Sequence, residues 1–238
     1  MLGGKTNIIE SIFLCSLGKS FRAKRDNDLI KFEKDSCKVI VDFEKIDRHG
    51  SITCKIDKQK AFFINGVKQN KISDIIGKIN CIIFTPDDIG IIKDGPDQRR
   101  KFIDMMIGGL RPNYIQLLND YKYVIEQRNN YLKQITEENK PVSMLDIWDE
   151  QVANLSYKIY EYRNSYVEKL KSKIEDIHSM ITNNSKESEI IKLKYISTGD
   201  SENKFLENIK KSRQIDIQRG FTSVGVHRDD IIIYINHK

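Results

Sequence analysis

Gly3-Gly4-Lys5-Thr6-Asn7, followed at once by Ile8-Ile9-Glu10-Ser11-Ile12-Phe13-Leu14, is the stretch on which the reading of this chain turns. In a phosphate loop the closing Gly lets backbone N–H groups face phosphate oxygens, a Lys reaches the β- and γ-phosphates, and a Ser or Thr hydroxyl ligates Mg²⁺. Gly4, Lys5 and Thr6 are the residue types for those roles, in that order. A helix starting here adds the positive end of its macrodipole, and Ile8, Ile9, Ile12 and Phe13 give it one apolar face to bury. The full pattern also needs a Gly five residues before Gly4 and a buried strand ahead of that, and the chain carries neither. Gly-Lys-Thr alone fits a phosphate site and a surface turn with a helix cap equally well, so the rest of the chain has to decide.

The 238 residues allow one large or two small domains, and 39% hydrophobic content supports a real core. With 40 Lys+Arg against 34 Asp+Glu the net charge is +6, which accommodates a polyanion partner without requiring one. Cys15, Cys37, Cys54 and Cys81 are widely spaced, with no Cys-x-x-Cys pair and no His at ligand spacing. Reduced, mostly buried thiols in a cytoplasmic protein are expected. No run of 18 apolar residues and no charged leader with an apolar core occur, so neither membrane insertion nor secretion is expected.

Beyond the first helix, Gly18 is a stop signal, and Lys19, Arg22, Lys24 and Arg25 crowd into one short loop. The loop is either simply solvated or an arginine-bearing loop aimed at the phosphate of ATP or DNA. Cys37 to Phe43, Ser51 to Ile56 and Ala61 to Ile64 are β-rich runs, and Asn65-Gly66 is a hairpin turn, so an antiparallel meander follows. Ile72 to Ile76 suits one helical turn, and the continuous apolar run Cys81 to Phe84 predicts a buried strand covered on both faces.

Next comes Phe84-Thr85-Pro86-Asp87-Asp88-Ile89-Gly90-Ile91-Ile92-Lys93-Asp94-Gly95-Pro96-Asp97-Gln98-Arg99-Arg100-Lys101-Phe102-Ile103-Asp104. Here Pro96 opens a helix, Asp97 sits in its first turn, and Phe102 and Ile103 supply its buried side. Arg99 and Arg100, taken alone, read as surface ion-pair partners. Arg111 to Ile135 is helical, with a seam of Tyr114, Leu118, Tyr121, Ile125, Leu132 and Ile135 in which Arg128 fills the gap. A second seam runs Leu145, Trp148, Val152, Leu155, Ile159, Tyr162 and Tyr166, then shifts register to Leu170, Ile174, Ile177 and Ile181. The short polar stretch Glu137 to Pro141 folds the two back as an antiparallel hairpin of roughly 35 Å or more at 1.5 Å per residue. The period of the aromatic seam is that of helix packing rather than of a base-stacking surface.

Asn183 to Glu189 is a polar linker, Ile190 to Ile196 alternates as a strand, and Asn203 to Gln218 carries a helical pattern. Then follow Arg219-Gly220-Phe221-Thr222-Ser223-Val224-Gly225-Val226-His227-Arg228-Asp229-Asp230 and a last strand, Ile231 to Ile235. Gly225 permits a tight bend, and His227 and Arg228 offer donors to phosphate. Asp229 and Asp230 either pair with basic residues or accept from loop N–H groups. Metal binding is disfavoured, because neighbours on a strand face opposite sides.

Two of these stretches resemble the RecF family of bacterial recombination mediators, whose ATPase head is of the ABC/SMC type. Pro86, Asp87, Ile91, Ile92, Gly95, Pro96, Arg99, Arg100, Phe102, Ile103 and Asp104 follow its signature, with Asp94 where a Gly is expected. The His227-Arg228-Asp229-Asp230 run matches its second motif, with Val226 in place of Pro. The resemblance implies an α/β fold: an ABC/SMC-like head of P-loop type with a mixed sheet, built from residues 1–104 and 186–238. An antiparallel helical hairpin arm over 105–185 is inserted into it. It implies a clamp acting in DNA replication, recombinational repair and SOS induction, with ATP and Mg²⁺ as cofactors. The implied partners are single- and double-stranded DNA at their junctions, a second copy of the chain in an ATP-dependent homodimer, and recombination mediator proteins.

By the same resemblance Gly3, Gly4, Lys5, Thr6, Asn7 and Arg22 hold the nucleotide, and Thr6 and Asp87 serve Mg²⁺. Lys19, Arg22, Lys24, Arg25, Arg99, Arg100, His227 and Arg228 are the DNA-contacting or family-motif residues. The ABC signature segment and the Walker B strand have no counterpart in the sequence, so ATP hydrolysis by this chain alone is not expected. The alternatives are another SMC-type head, against which the short hairpin argues, and an ATPase-inactive interaction module.

Overall fold

The computed structural model describes residues 4–45, 48–182 and 190–236. The chain forms two compact units, Met1–Pro86 with Gly108–Asn113, and Asp87–Ile107 with Tyr114–Lys238.

The first unit packs helix α1 (Gly4–Leu17) on an antiparallel meander of β1 (Cys37–Lys45), β2 (Arg48–Ile56), β3 (Lys60–Ile64) and β4 (Val67–Lys68). The register runs from Cys37 opposite Ile56 to Lys45 opposite Arg48, and from Ile52 opposite Ile64 to Ile56 opposite Lys60. Asn65 and Gly66 turn β3 into β4 with φ of 49° and 83°, the left-handed pair that a two-residue hairpin demands. Period two decides the faces: Ile52, Cys54 and Ile56 point inward with Phe62, against Phe13, Leu14 and Cys15 of α1. On the other face Lys55 lies over the Phe63 ring. Burial pushes the Cys15 thiol up to about 11 and Cys54 up to about 12, so both remain protonated apolar fillers.

Two expectations fail in this unit. Ile8 and Ile9 are exposed, and the apolar residues that α1 buries are Phe13, Leu14 and Cys15 further along it. Cys81 to Phe84 is not a strand, and Ile82 and Phe84 are more than four-fifths exposed. A doubly covered strand needs neighbours for its backbone, and no strand among the described residues pairs with it.

The second unit contains the short helix α2 (Gly90–Lys93), most of α3 (Pro96–Leu110) and α4 (Pro112–Glu138), then α5 (Leu145–Thr182) and α6 (Glu202–Arg219). Its antiparallel pair is β5 (Ile191–Ile196) and β6 (Asp230–Ile235), with Ile191 opposite Ile235. As expected, α4 and α5 form an antiparallel hairpin. Tyr114 meets Arg163 and Tyr162, Tyr121 lies beside Ser156, and Arg128 bonds Asp149. α6 adds a third helix, with Phe205 and Ile209 in the same core as Tyr121, Val152 and Ile159. The seam beyond Val167 loosens: Ile177 and Ile181 are exposed, and Tyr162 turns outward by the same measure. The polar linker expected at Asn183 to Glu189 lies outside the described residues.

Candidate functional site

The first turn of α1 presents Gly4, Lys5, Thr6 and Asn7 to solvent. Backbone N–H groups in a first turn have no intrahelical acceptor, and the helix dipole adds positive potential there. No atom lies within 4 Å of the place a Cβ would take on Gly4, so its backbone is open to close approach. Gly3 lies outside the described residues. One turn further on, Glu10 is buried although charged, because the loop after α1 supplies its partners. Ser20 Oγ donates to Glu10 Oε1 at 2.5 Å, and Arg22 Nη2 donates to Glu10 Oε2 at 2.6 Å and to Asn7 Oδ1 at 3.0 Å. Ser20 Oγ in turn accepts from the backbone N–H groups of Arg22 and Ala23. The result is a guanidinium pinned beside the exposed N-terminus of the helix while its own side chain stays half in solvent.

A pocket of about 970 Å³ opens against this network, lined by Asn7, Glu10, Arg22, Lys24, Lys31 and Lys38 among others. That lies at the upper end of the usual size for cofactor sites, and its basic wall suits an anion. Lys19, Lys24 and Arg25 are exposed on the same loop. As a metal ligand this turn offers one hydroxyl, Thr6, and no group of three metal-ligating side chains occurs among the described residues. That donor set fits a Mg²⁺ that arrives with phosphate oxygens and keeps its waters, not one caged by protein. Asp87 lies in a 3₁₀ turn of the second unit, and its side chain is outside the described residues.

The motif residues of the second unit converge on the loop between α6 and β6. Arg99 grips Asp230 through Nε and Nη2 at 2.7 and 3.1 Å, and its Nη1 donates to the carbonyls of Asp94 and Ile91. Arg100 donates to the Asp229 carbonyl at 2.5 Å and pairs with Asp97. Asp229, almost fully buried, accepts from Tyr195, Ser197 Oγ and Arg163. His227 bridges Tyr121, whose hydroxyl lies 2.6 Å from Nδ1, and the Thr222 carbonyl, 3.0 Å from Nε2. A carbonyl only accepts, so the proton sits on Nε2 and Tyr121 donates to Nδ1. Burial holds this imidazole well below its ordinary value, at about 4, so it is neutral. Arg228 is exposed and lies over the Phe221 ring.

The groups that sequence reasoning left without a role are Glu10 and Ser20, and in the second unit Asp149, Arg163 and Asp216. Glu10 was detectable, since it follows Asn7 by three residues on one helix face beside an arginine-bearing loop.

A Gly-Lys-Thr helix N-terminus on an antiparallel sheet, with a helical hairpin in the same chain, is the architecture of an ABC-type ATPase head. No protein-family model matches the chain. It is 38% identical over 241 residues to a DNA replication and repair protein RecF of Lachnospira eligens, and 39% identical over 244 residues to one of Clostridium perfringens. These alignments take in 98% of this chain and 64% and 65% of those proteins. Among solved structures it is similar to the recombination mediator protein RecF-ATPrS in the RecFOR pathway, with TM-score 0.90 and 32% identity over 100% of this chain and 66% of that one. The RecF-ATP structure gives TM-score 0.91 and 33% identity over 98% and 65%. The chain is similar to RecF proteins over 98% of its own length and spans about 65% of the length of those curated relatives.

Proposed function

We propose that this chain carries the nucleotide-binding part of an ATP-gated DNA clamp acting in replication and recombinational repair. The observation that carries the reading is the exposed first turn Gly4-Lys5-Thr6-Asn7 with Arg22 fixed beside it by Glu10 and Asn7. The solved RecF structures with ATP and ATPrS support it. The free N–H groups of the turn and Gly4 receive phosphate oxygens, Lys5 neutralises the β- and γ-phosphates, and Arg22 adds a second cation. The basic pocket beside them takes the rest of the nucleotide. Bound Mg²⁺ would offset phosphate charge, and the Thr6 hydroxyl would orient it.

In this proposal residues 105–185 act as an arm inserted into a head made of 1–104 and 186–238. Lys19, Lys24, Arg25 and Arg228 supply phosphate contacts to DNA, while Arg99, Arg100 and His227 hold the motif loop that presents Arg228. ATP brings two copies together on DNA at single-strand to double-strand junctions, in concert with recombination mediator proteins and the SOS response, in the cytoplasm. No helix among the described residues is long and apolar enough to cross a membrane.

Lys5→Ala tests the reading. A charge-assisted phosphate contact contributes about 1.5–3 kcal/mol, so ATP affinity measured by calorimetry is expected to fall roughly tenfold to a hundredfold. Equal affinity in the variant and wild type would overturn the assignment of Lys5.

A further inference from the structure

Arg228, placed among the phosphate contacts above, lies over Phe221, a ring that those contacts do not use. Phe221 is 39% exposed, a large fraction for a ring in a loop held so tightly. Arg228 is exposed, has no carboxylate partner among the described residues, and lies with its guanidinium carbon 5.6 Å from the ring centroid. The pair stands on an immobilised base. Before it, Gly220 ends α6 in the left-handed region at φ 68°, its N–H donating to the Asp216 carbonyl at 2.8 Å. After it, Thr222 N–H and Oγ1 both donate to Asn129 Oδ1 at 2.7 Å, and Arg128 Nη1 donates to Thr222 Oγ1 at 2.8 Å. The Ser223 N–H is held by Asp216, and the Arg228 N–H by the Gly225 carbonyl. Lys133 on α4 runs across Gly220, its Cγ 3.3 Å from the place a Cβ would take, and Arg219 is exposed next in sequence.

We propose that Phe221 and Arg228 form a stacking platform for an unpaired nucleobase, with Lys133 and Arg219 neutralising the adjoining backbone, so that this loop recognises single-stranded nucleic acid. The inference rests on the DNA-binding reading above and names which form of nucleic acid this surface selects. The chemistry favours a base over an acidic peptide. Phosphate or carboxylate alone would be served by the cations, whereas an exposed ring with a guanidinium on it offers flat π-surface that a base can extend. A duplex keeps its bases stacked internally and leaves the ring unused. Fixing the backbone around the two residues through hydrogen bonds lowers the ordering cost of binding.

The test compares binding of a labelled oligothymidylate and of a blunt duplex of equal length by the 238-residue chain, read by fluorescence anisotropy. Base–aromatic stacking is worth about 1–3 kcal/mol, so Phe221→Ala is expected to weaken oligothymidylate binding roughly 5- to 100-fold while duplex binding stays within about twofold. Phe221→Tyr should retain the single-strand affinity. Lys133→Ala should weaken both ligands and lower the salt slope on the single strand by about 0.7. A Phe221→Ala protein that binds oligothymidylate like wild type, or loses both ligands equally, overturns the platform and leaves the DNA-binding reading in place. Failure of the wild-type chain to bind either ligand overturns both.

Discussion

Arg128→Met is expected to destabilise the second unit by about 3–5 kcal/mol, the usual cost of removing one partner from a buried ion pair. Arg128 is fully buried within the helical packing and faces two carboxylates, Asp149 at 2.7 Å and Asp216 at 2.8 Å, both without solvent exposure. The remaining contacts of those acids do not replace a central cation. Asp149 keeps Arg213 at 2.5 Å, and Asp216 keeps Ser212 and Ser223. The loss would be read from urea unfolding followed by circular dichroism. Adding Asp216→Asn should recover part of it, because one stranded charge is then removed. A loss below about 1 kcal/mol in Arg128→Met would contradict a structural role for the triad.

The second large effect concerns acid stability. His227 has an ordinary value near 6.5 in the unfolded chain and about 4 in the fold, where burial penalises the imidazolium. Between these values the unfolded state binds the extra proton, so stability falls as pH falls. The contribution is complete above pH 6.5 and is lost as pH drops through about 4, amounting to roughly 3 kcal/mol at most. The groups around the ring are Tyr121 and the Thr222 carbonyl in contact, with Arg228, Arg100 and Asp216 acting through charge. Burial also raises the Asp229 carboxyl, against its hydrogen bonds from Tyr195 and Ser197 and the charge of Arg163, and a raised carboxyl gives the opposite slope. His227→Gln separates the two, since only the imidazole contribution disappears. Unfolding free energies measured from pH 7 to 4 should therefore decline less steeply in His227→Gln than in wild type. Parallel curves would show that His227 does not titrate as its burial requires.

The parts of the fold that could be read from the sequence are those decided by local rules. The Asn65-Gly66 turn, the alternation along β2 and the two apolar seams each follow from a period or a φ requirement within a few residues. Reading only apolar positions concealed what lies between them. Asp149, Ser156 and Arg163 recur every seventh residue on α5 and are buried opposite Arg128, Tyr121 and Tyr114. A polar residue in a heptad looks like a solvent-facing position until its partner on another helix is known. Cys81 to Phe84 was misread for the converse reason: apolar composition marks a segment that suits a strand, but the hydrogen-bonding neighbour is not a local property.

At the candidate site, Gly4-Lys5-Thr6 and Arg22 were legible as residue types. The bonds that place Arg22 beside the helix go to Glu10 and Asn7, which local spacing puts on one helix face, whereas the Ser20 hydroxyl that braces Glu10 is stated by no local pattern. The same holds for Arg99 and Asp230, more than a hundred residues apart in sequence and joined by a bidentate pair.

The central claim is that ATP binds at the first turn of α1 and the pocket beside it. Its most direct test is an amide NMR titration of the isotope-labelled chain with ATP and Mg²⁺. The account predicts shifts concentrated at Gly4 to Asn7, Ser20 to Lys31 and Cys37 to Val39. Saturating ATP that leaves these amides unmoved, or moves only those of the second unit, would contradict it.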